Sequence, residues 1–246
     1  MSTLIIGHRG YKAKYIENTR ESFLEALKAG ADGIELDVHL TKDGEVVVFH
    51  DFDLYPRTKE SSYIFEYTLE DLKKIELENH HSIPTLREVL EDLVQYKENF
   101  SRSKIMLNVE LKAGSQMYPG IEEKVMTLCY DKLDYNEVIF SSFDHQCLVK
   151  IKSSDKRAQI GVLTTAALVE PWLYIKRIKG DYYHPHYLSL SEKNLKEMIQ
   201  NKLLINTYTL NDLTLGKQLM KSGIHMIITD EVEKMLDLRK EVDDEA

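Results

Sequence analysis

The sequence predicts an α/β protein built as a closed (β/α)₈ TIM barrel, with an extra β-hairpin strand and a long excursion over its C-terminal mouth. Three observations predict it. Short β-rich runs alternate with amphipathic segments along nearly the whole chain, the pattern of repeated βαβ units and a mainly parallel sheet. Of nine such runs, two are joined by a link too short to hold a crossover helix, which leaves eight. The chain length of 246 residues matches the ~250 residues typical of an eightfold barrel. An open doubly wound sheet is the alternative, and it requires a reversal of strand order.

The β-rich runs are 4–6, 33–38, 45–49, 105–111, 138–141, 159–163, 182–184, 203–209 and 226–229. The runs 33–38 and 45–49 flank Asp43-Gly44, a strong hairpin turn signal, so the second folds back antiparallel on the first. Helical spacing of apolar residues marks 22–29, 69–75, 86–96, 121–128, 145–151, 192–200 and 213–221. Asn18 has the chemistry of an N-cap for the first helix, with Glu21 three residues on completing a capping box, and Glu17 beside it on the first βα loop is a candidate functional residue. The longest stretch without strand pattern, Asp51–Lys104, contains Pro56, two helical segments and the link His80-His81-Ser82-Ile83-Pro84; loops of this length are commonly functional. Residues 241–246 read as a solvated acidic tail. With no linker-like boundary and no internal repeat, residues 1–246 read as a single domain.

Composition narrows the partners. Thirty-two Lys and Arg against 41 Asp and Glu leave a net charge of −9 with no block of basic residues, which argues against nucleic acid as the main partner. A small anionic substrate is compatible with that balance, because a few local cations suffice to bind it. The N-terminus lacks the basic and apolar regions of a signal peptide, and no apolar run approaches the ~20 residues of a membrane span. The expectation is a cytoplasmic protein with no membrane anchor; Cys129 and Cys147 read as buried thiols.

The chemistry-bearing residues follow from strand alternation. Residues two apart point the same way, so Glu35 and Asp37 share one face of their strand, and Glu110 and Lys112 share a face of theirs. Buried carboxylates repel one another unless a cation or hydrogen bonds compensate. Three oxygen donors from Glu35, Asp37 and Glu110 suit one hard divalent cation, Mg²⁺ or Ca²⁺. The competing reading is a buried salt bridge such as Lys112 with Glu35. His8 directly follows the first strand and His50 ends the returning hairpin strand, which places both imidazoles at the rim where barrel enzymes hold their catalytic groups. Acids, two histidines and the cations Arg9 and Lys112 together suit phosphoryl chemistry.

The order of these residues extends to a family pattern. His8-Arg9-Gly10, Glu17-Asn18-Thr19, Glu35-x-Asp37-Val38, Thr41-Lys42-Asp43-Gly44, Val47-x-x-His50-Asp51, Arg57-Thr58, Ile83-Pro84-Thr85-Leu86, Glu110-x-Lys112, Ser142-Phe143, Asn206-Thr207-x-Thr209-x-Asn211 and Ile227-Ile228-Thr229-Asp230 occur in register. The chain resembles the glycerophosphodiester phosphodiesterase family from residue 4 to about residue 232. The resemblance implies metal-dependent hydrolysis of glycerophosphodiesters to sn-glycerol 3-phosphate and an alcohol. It implies His8 and His50 as the acid–base pair, Glu35, Asp37 and Glu110 as ligands of the divalent ion, and Arg9 and Lys112 on the phosphate. In the family's mechanism the glycerol 2-hydroxyl attacks phosphorus and water opens the resulting cyclic phosphate. A lysophospholipase D-like enzyme on the same barrel, or a non-catalytic binder of phosphodiesters, are the alternatives.

Three departures bear on substrate choice. Tyr208 stands where the family usually has Trp, leaving a smaller aromatic wall; His225-Met226 replace the usual Asp-Gly; and the Arg57-Thr58 segment lacks the usual glycines. Phe143 after its strand end, and Tyr208, are expected to contact substrate, with Trp172 a weaker candidate. His80 and His81 read as solvated, and His184 and His186 as rim residues or a structural turn.

Overall fold

A computed structural model describes residues 2–55 and 62–245. Among these residues nine strands lie in one sheet: β1 (Leu4–Gly7), β2 (Gly33–Leu40), β3 (Val46–Val48), β4 (Met106–Leu111), β5 (Val138–Ser142), β6 (Gln159–Thr164), β7 (Tyr182–Pro185), β8 (Leu204–Thr207) and β9 (Met226–Thr229). Their order is β1-β9-β8-β7-β6-β5-β4-β2-β3, and β1 pairs with β2 as well. Eight parallel strands therefore close a ring, while β3 stands outside it, antiparallel to β2 with Val38 opposite Val48 and Leu40 opposite Val46. The open-sheet alternative is excluded by the closing pairs, Ile6 with Gly33 and Gly7 with Thr229.

The register explains where polar groups collect. Gly33 pairs with Met106, Glu35 with Asn108, and Asp37 with Glu110, so the inward residues of β2 and β4 climb the barrel side by side. Its base is filled by Ile6, Met106, Ile139, Tyr182, Met226 and Ile228. Above them the interior turns polar with Asn108, Ser141, His184 and Asn206, all 3% exposed or less. The outward residues of the strands, among them Ile34, Leu36, Val38, Val109 and Phe140, are buried against the helices and form the larger core.

The described residues between 51 and 84 pack as a lobe on the hairpin rather than as a bare loop. Val47, Phe49, Leu54, Ile64, Leu72, Leu77 and Ile83 make its own apolar cluster, and Val48 donates its amide to the Pro84 carbonyl at 2.8 Å. The predicted helix over 69–75 is only the single turn Leu69–Leu72, and Leu86–Asn99 is a barrel helix whose Leu86, Val89, Leu90 and Leu93 pack in the main core. Pro56, Arg57 and Thr58 lie outside the described residues.

Several expectations need correction. The first helix, Arg20–Lys28, is capped by Thr19, whose Oγ1 accepts from Ser22 N at 3.2 Å. Asn18 sits one residue too early, in a left-handed conformation, and serves the site instead. Glu21 is engaged by His81, at 3.1 Å, so His81 is not freely solvated, and His80, though exposed, pairs with Glu76. Helices Pro171–Arg177 and Val232–Asp244 follow β6 and β9, where an eightfold barrel calls for them although no segment was assigned there. The second absorbs most of the expected acidic tail: Val242 is buried, and Glu245 bridges Lys217 at 2.8 Å and Lys221 at 2.7 Å. Both cysteines are free and buried. No helix of the described residues is long and apolar enough to cross a membrane.

Candidate active site

The site begins with a forced turn. After β1 the chain passes through Arg9 (φ 53°) and Gly10 (φ 88°). A Cβ on Gly10 would lie 2.4 Å from Ser22 Oγ and 2.6 Å from the Ser22 carbonyl carbon, so glycine alone lets the loop press onto the first helix. That turn aims the Arg9 amide at Glu35 Oε2, 2.9 Å away, and folds the guanidinium back over the mouth. Its Nη1 donates to Glu17 Oε1 at 2.8 Å and its Nε lies 3.5 Å from Asp37 Oδ2. Lys12 reaches the other oxygen of Glu17 at 3.1 Å. Asn18, also left-handed, donates from Nδ2 to Asp37 Oδ2 at 2.9 Å. Glu17 and Asn18 are thus joined to the site through Arg9 and Asp37. The clue to Asn18 was its tolerance of a positive φ, which its reading as a helix cap obscured.

Glu35, Asp37 and Glu110 each present a carboxylate oxygen within 4.8 Å of the others. Lys112 lies 2.8 Å from Glu110 Oε1 and 3.4 Å from Asp37 Oδ1, so the salt bridge of the competing reading forms with these two acids and not with Glu35. Burial works against the Asp37 charge, yet Lys112, Arg9 and His50 outweigh it and hold the carboxyl at about 2. Burial and the neighbouring charge of Asp37 push Glu110 up to about 7; burial with Asp37 and Glu110 pushes Glu35 well above the usual range. Among the described residues two cations thus serve three clustered carboxylates, and one of them, Arg9, is shared with Glu17. Counted over those residues the cluster is short of positive charge, and its donors are all oxygens, so they fit a hard divalent cation.

Both histidines take the same form. His8 Nδ1 lies 2.7 Å from Asp230 Oδ1, and His50 Nδ1 lies 2.7 Å from Asp51 Oδ1. A carboxylate only accepts, so each Nδ1 carries the proton and each Nε2 keeps its lone pair. The Nε2 of His8 is 3.5 Å from Thr209 Oγ1. Burial lowers the pKa of both rings, against the raising effect of their aspartates. Sequence reasoning missed Asp230 and Asp51 as orienting partners, although both lay inside motifs it quoted.

Facing these groups is an aromatic wall. Phe143 is 46% exposed and meets the Tyr208 ring edge-on at 6.0 Å; His186 meets the same ring at 5.6 Å. The Tyr208 hydroxyl is spent on the Thr164 carbonyl at 3.0 Å, so the ring face and not its oxygen lines the wall. His184, read with His186 as a rim residue or part of a structural turn, is fully buried inside the barrel, and Trp172 packs against the main core.

This chain matches the model of the glycerophosphoryl diester phosphodiesterase family over residues 8–234. It belongs to that family. A glycerophosphodiester phosphodiesterase of Caldanaerobacter subterraneus is 36% identical over 97% of this chain and 98% of its own, and one of Bacillus altitudinis is 34% identical over 98% and 99%. Among solved structures, the glycerophosphodiester phosphodiesterase of Thermotoga maritima superposes with a TM-score of 0.77 at 30% identity, covering 97% of this chain and 99% of that one. A phosphodiesterase of Oleispira antarctica, solved with the product sn-glycerol-3-phosphate, shares the fold with a TM-score of 0.88 at 23% identity, over 97% of each chain. As a member of the family the protein is a phosphoric diester hydrolase whose substrates are glycerophosphodiesters.

Proposed function

We propose that this enzyme hydrolyses glycerophosphodiesters to sn-glycerol 3-phosphate and an alcohol, with His8 and His50 exchanging protons and Glu35, Asp37 and Glu110 holding one Mg²⁺ or Ca²⁺. The observation that carries the reading is the pair of His–Asp dyads, both subject to the fields of Asp37 and Arg9 at the mouth of the barrel. One imidazole, neutral at Nε2, takes the proton of the glycerol 2-hydroxyl as that oxygen attacks phosphorus. The other, protonated, delivers its proton to the leaving alkoxide. With roles reversed, the two then activate water and return a proton as the cyclic phosphate opens. Arg9, fixed by Glu17, and Lys112, fixed by Glu110, hold the non-bridging oxygens, where negative charge grows in the transition state. When bound, the divalent ion supplies Lewis-acid stabilisation of that same charge. Phe143 and Tyr208 flank the departing alcohol.

The charge balance supports the arrangement. Three carboxylates, Arg9, Lys112 and a divalent ion sum to +1, and Glu17 with Lys12 adds nothing net. A phosphodiester anion then brings the loaded site to neutrality. We place the activity in one domain spanning residues 1–246 and the enzyme in the cytoplasm, a compartment that suits its two free thiols.

The test is turnover of glycerophosphocholine followed by detection of sn-glycerol 3-phosphate. EDTA is expected to abolish it and Mg²⁺ or Ca²⁺ to restore it. His8→Ala and His50→Ala are each expected to lower kcat by ~10²–10⁴, the range for loss of a general acid or base. Full turnover after exhaustive chelation removes the ion from the mechanism; undiminished turnover in either variant removes that histidine.

A further inference from the structure

We propose that a buried relay, Tyr118 to His39 to the main chain of His50, positions the His50 imidazole for catalysis. β2 runs beyond Asp37, and strand alternation puts His39 on the face of Glu35 and Asp37. The side chain is fully buried. Its Nδ1 lies 2.7 Å from the Tyr118 hydroxyl and its Nε2 3.3 Å from the carbonyl oxygen of His50. A carbonyl only accepts, so Nε2 carries the hydrogen and donates, which leaves Nδ1 to accept from the Tyr118 O–H. The rings of Phe52 and Tyr118 meet the imidazole edge-on, at 5.1 and 5.6 Å with interplanar angles of 80° and 89°, and fix its plane.

Tyr118 is 1% exposed and belongs to the loop after β4, six residues beyond Lys112. The relay therefore ties the loop that carries a phosphate-binding cation to the segment that carries an acid–base group. On its other side His50 is held by the sheet, where the Phe49 amide donates to the Asp37 carbonyl at 3.1 Å. Its ring is oriented by Asp51. Main chain and ring are thus fixed separately, and His39 supplies the main-chain restraint past the end of β3. His39 touches no reacting atom in this scheme; it acts through His50.

The inference rests on His50 being an acid–base group, and a double-mutant cycle separates the two claims. Tyr118→Phe, which removes one oxygen, and His39→Phe, which keeps the ring volume, are made in the native chain and in His50→Ala. Each is expected to lower kcat on glycerophosphocholine ~10-fold or more in the native chain, within the ~10² that a misplacement of ~1 Å can cost. KM should stay within about twofold, because the substrate-binding groups are untouched. His39→Gln, whose amide both donates and accepts, should recover most of the lost rate. In His50→Ala neither change should reduce the residual rate further. Additive losses in that background, a rise in KM that accounts for the loss, or native kcat in both relay variants would overturn the proposal. Should His39→Phe fail to fold, Tyr118→Phe reads the same relay. Full turnover by His50→Ala alone would overturn the acid–base reading itself and this inference with it.

Discussion

His8 and Asp230 are 222 positions apart in sequence, yet Nδ1 of one lies 2.7 Å from Oδ1 of the other. The contact spans the seam of the barrel, where β1 and β9 run side by side with Gly7 opposite Thr229. Asp230 is itself held: Asn211 Nδ2 donates to its other oxygen at 2.8 Å, and its amide donates to Asn211 Oδ1 at 2.9 Å. Three βα loops thus converge to set the orientation of one imidazole.

Asp230→Asn is expected to lower kcat by ~10² or more, by analogy with the loss of the orienting carboxylate in other His–Asp pairs. The sign of its pH effect also follows. Burial lowers the His8 pKa, and Asp230 opposes that through both its hydrogen bond and its charge. Without the carboxylate the pKa falls further, so whichever limb of the kcat/KM profile His8 sets moves to lower pH. A limb that stays put would show that His8 does not set it.

Asn18 combines a left-handed backbone with a side chain that supports Asp37. Asn18→Gly and Asn18→Ala both lose the side-chain bond, but only alanine adds the left-handed strain of ~1–2 kcal/mol. Denaturant unfolding should therefore place the alanine variant below the glycine variant by ~1 kcal/mol. Both should be less active than the native chain, since Asp37 loses a hydrogen bond to its charged form.

His184 links stability to pH. Its Nε2 accepts from Asn206 Nδ2 at 2.9 Å, while Asn206 Oδ1 accepts from His225 Nδ1 at 2.6 Å. The ring is fully buried, a Cβ at Gly161 would strike it at 2.4 Å, and burial pushes its pKa down from 6.5 to about 3. A depressed imidazole contributes fully above the unfolded value and loses that contribution as pH falls toward the folded one. Unfolding measured at pH 7 and pH 5 should therefore show the native chain losing ~2 kcal/mol more than His184→Asn over that interval. Parallel curves would mean that His184 does not resist protonation.

Phe143 is the most accessible ring of the aromatic wall. Phe143→Ala is expected to raise KM for diesters of bulky or cationic alcohols several-fold while leaving that for glycerophosphoglycerol nearly unchanged. A contact worth ~1 kcal/mol changes affinity about fivefold. Uniform effects across a panel of alcohols would remove Phe143 from the alcohol site.

The sheet and the acid cluster were legible because both depend on the same local rule. A strand alternates faces whatever surrounds it, so Glu35, Asp37 and Glu110 could be assigned to one interior before any contact was known, and Asp43-Gly44 announced the hairpin. What stayed hidden was set by long-range contacts. Asn18 looks like a cap in sequence because capping and positive φ favour the same residue type; Thr19 took the cap once the Arg9–Gly10 turn fixed the loop. The last helix was obscured by acidic residues whose charge Lys217 and Lys221 share across space. His39 attracted no notice because nothing local reveals that its partners lie 11 and 79 positions away.

The seam between the first and last strands also sets when the mouth of the barrel is complete. A nascent chain whose residues 226–230 are still inside the ribosome leaves one edge of β1 unpaired and the His8 ring without its carboxylate, although every other functional group has already been made. The His8–Asp230 dyad is therefore the last part of the barrel mouth to assemble, complete only once the final strand has emerged and docked.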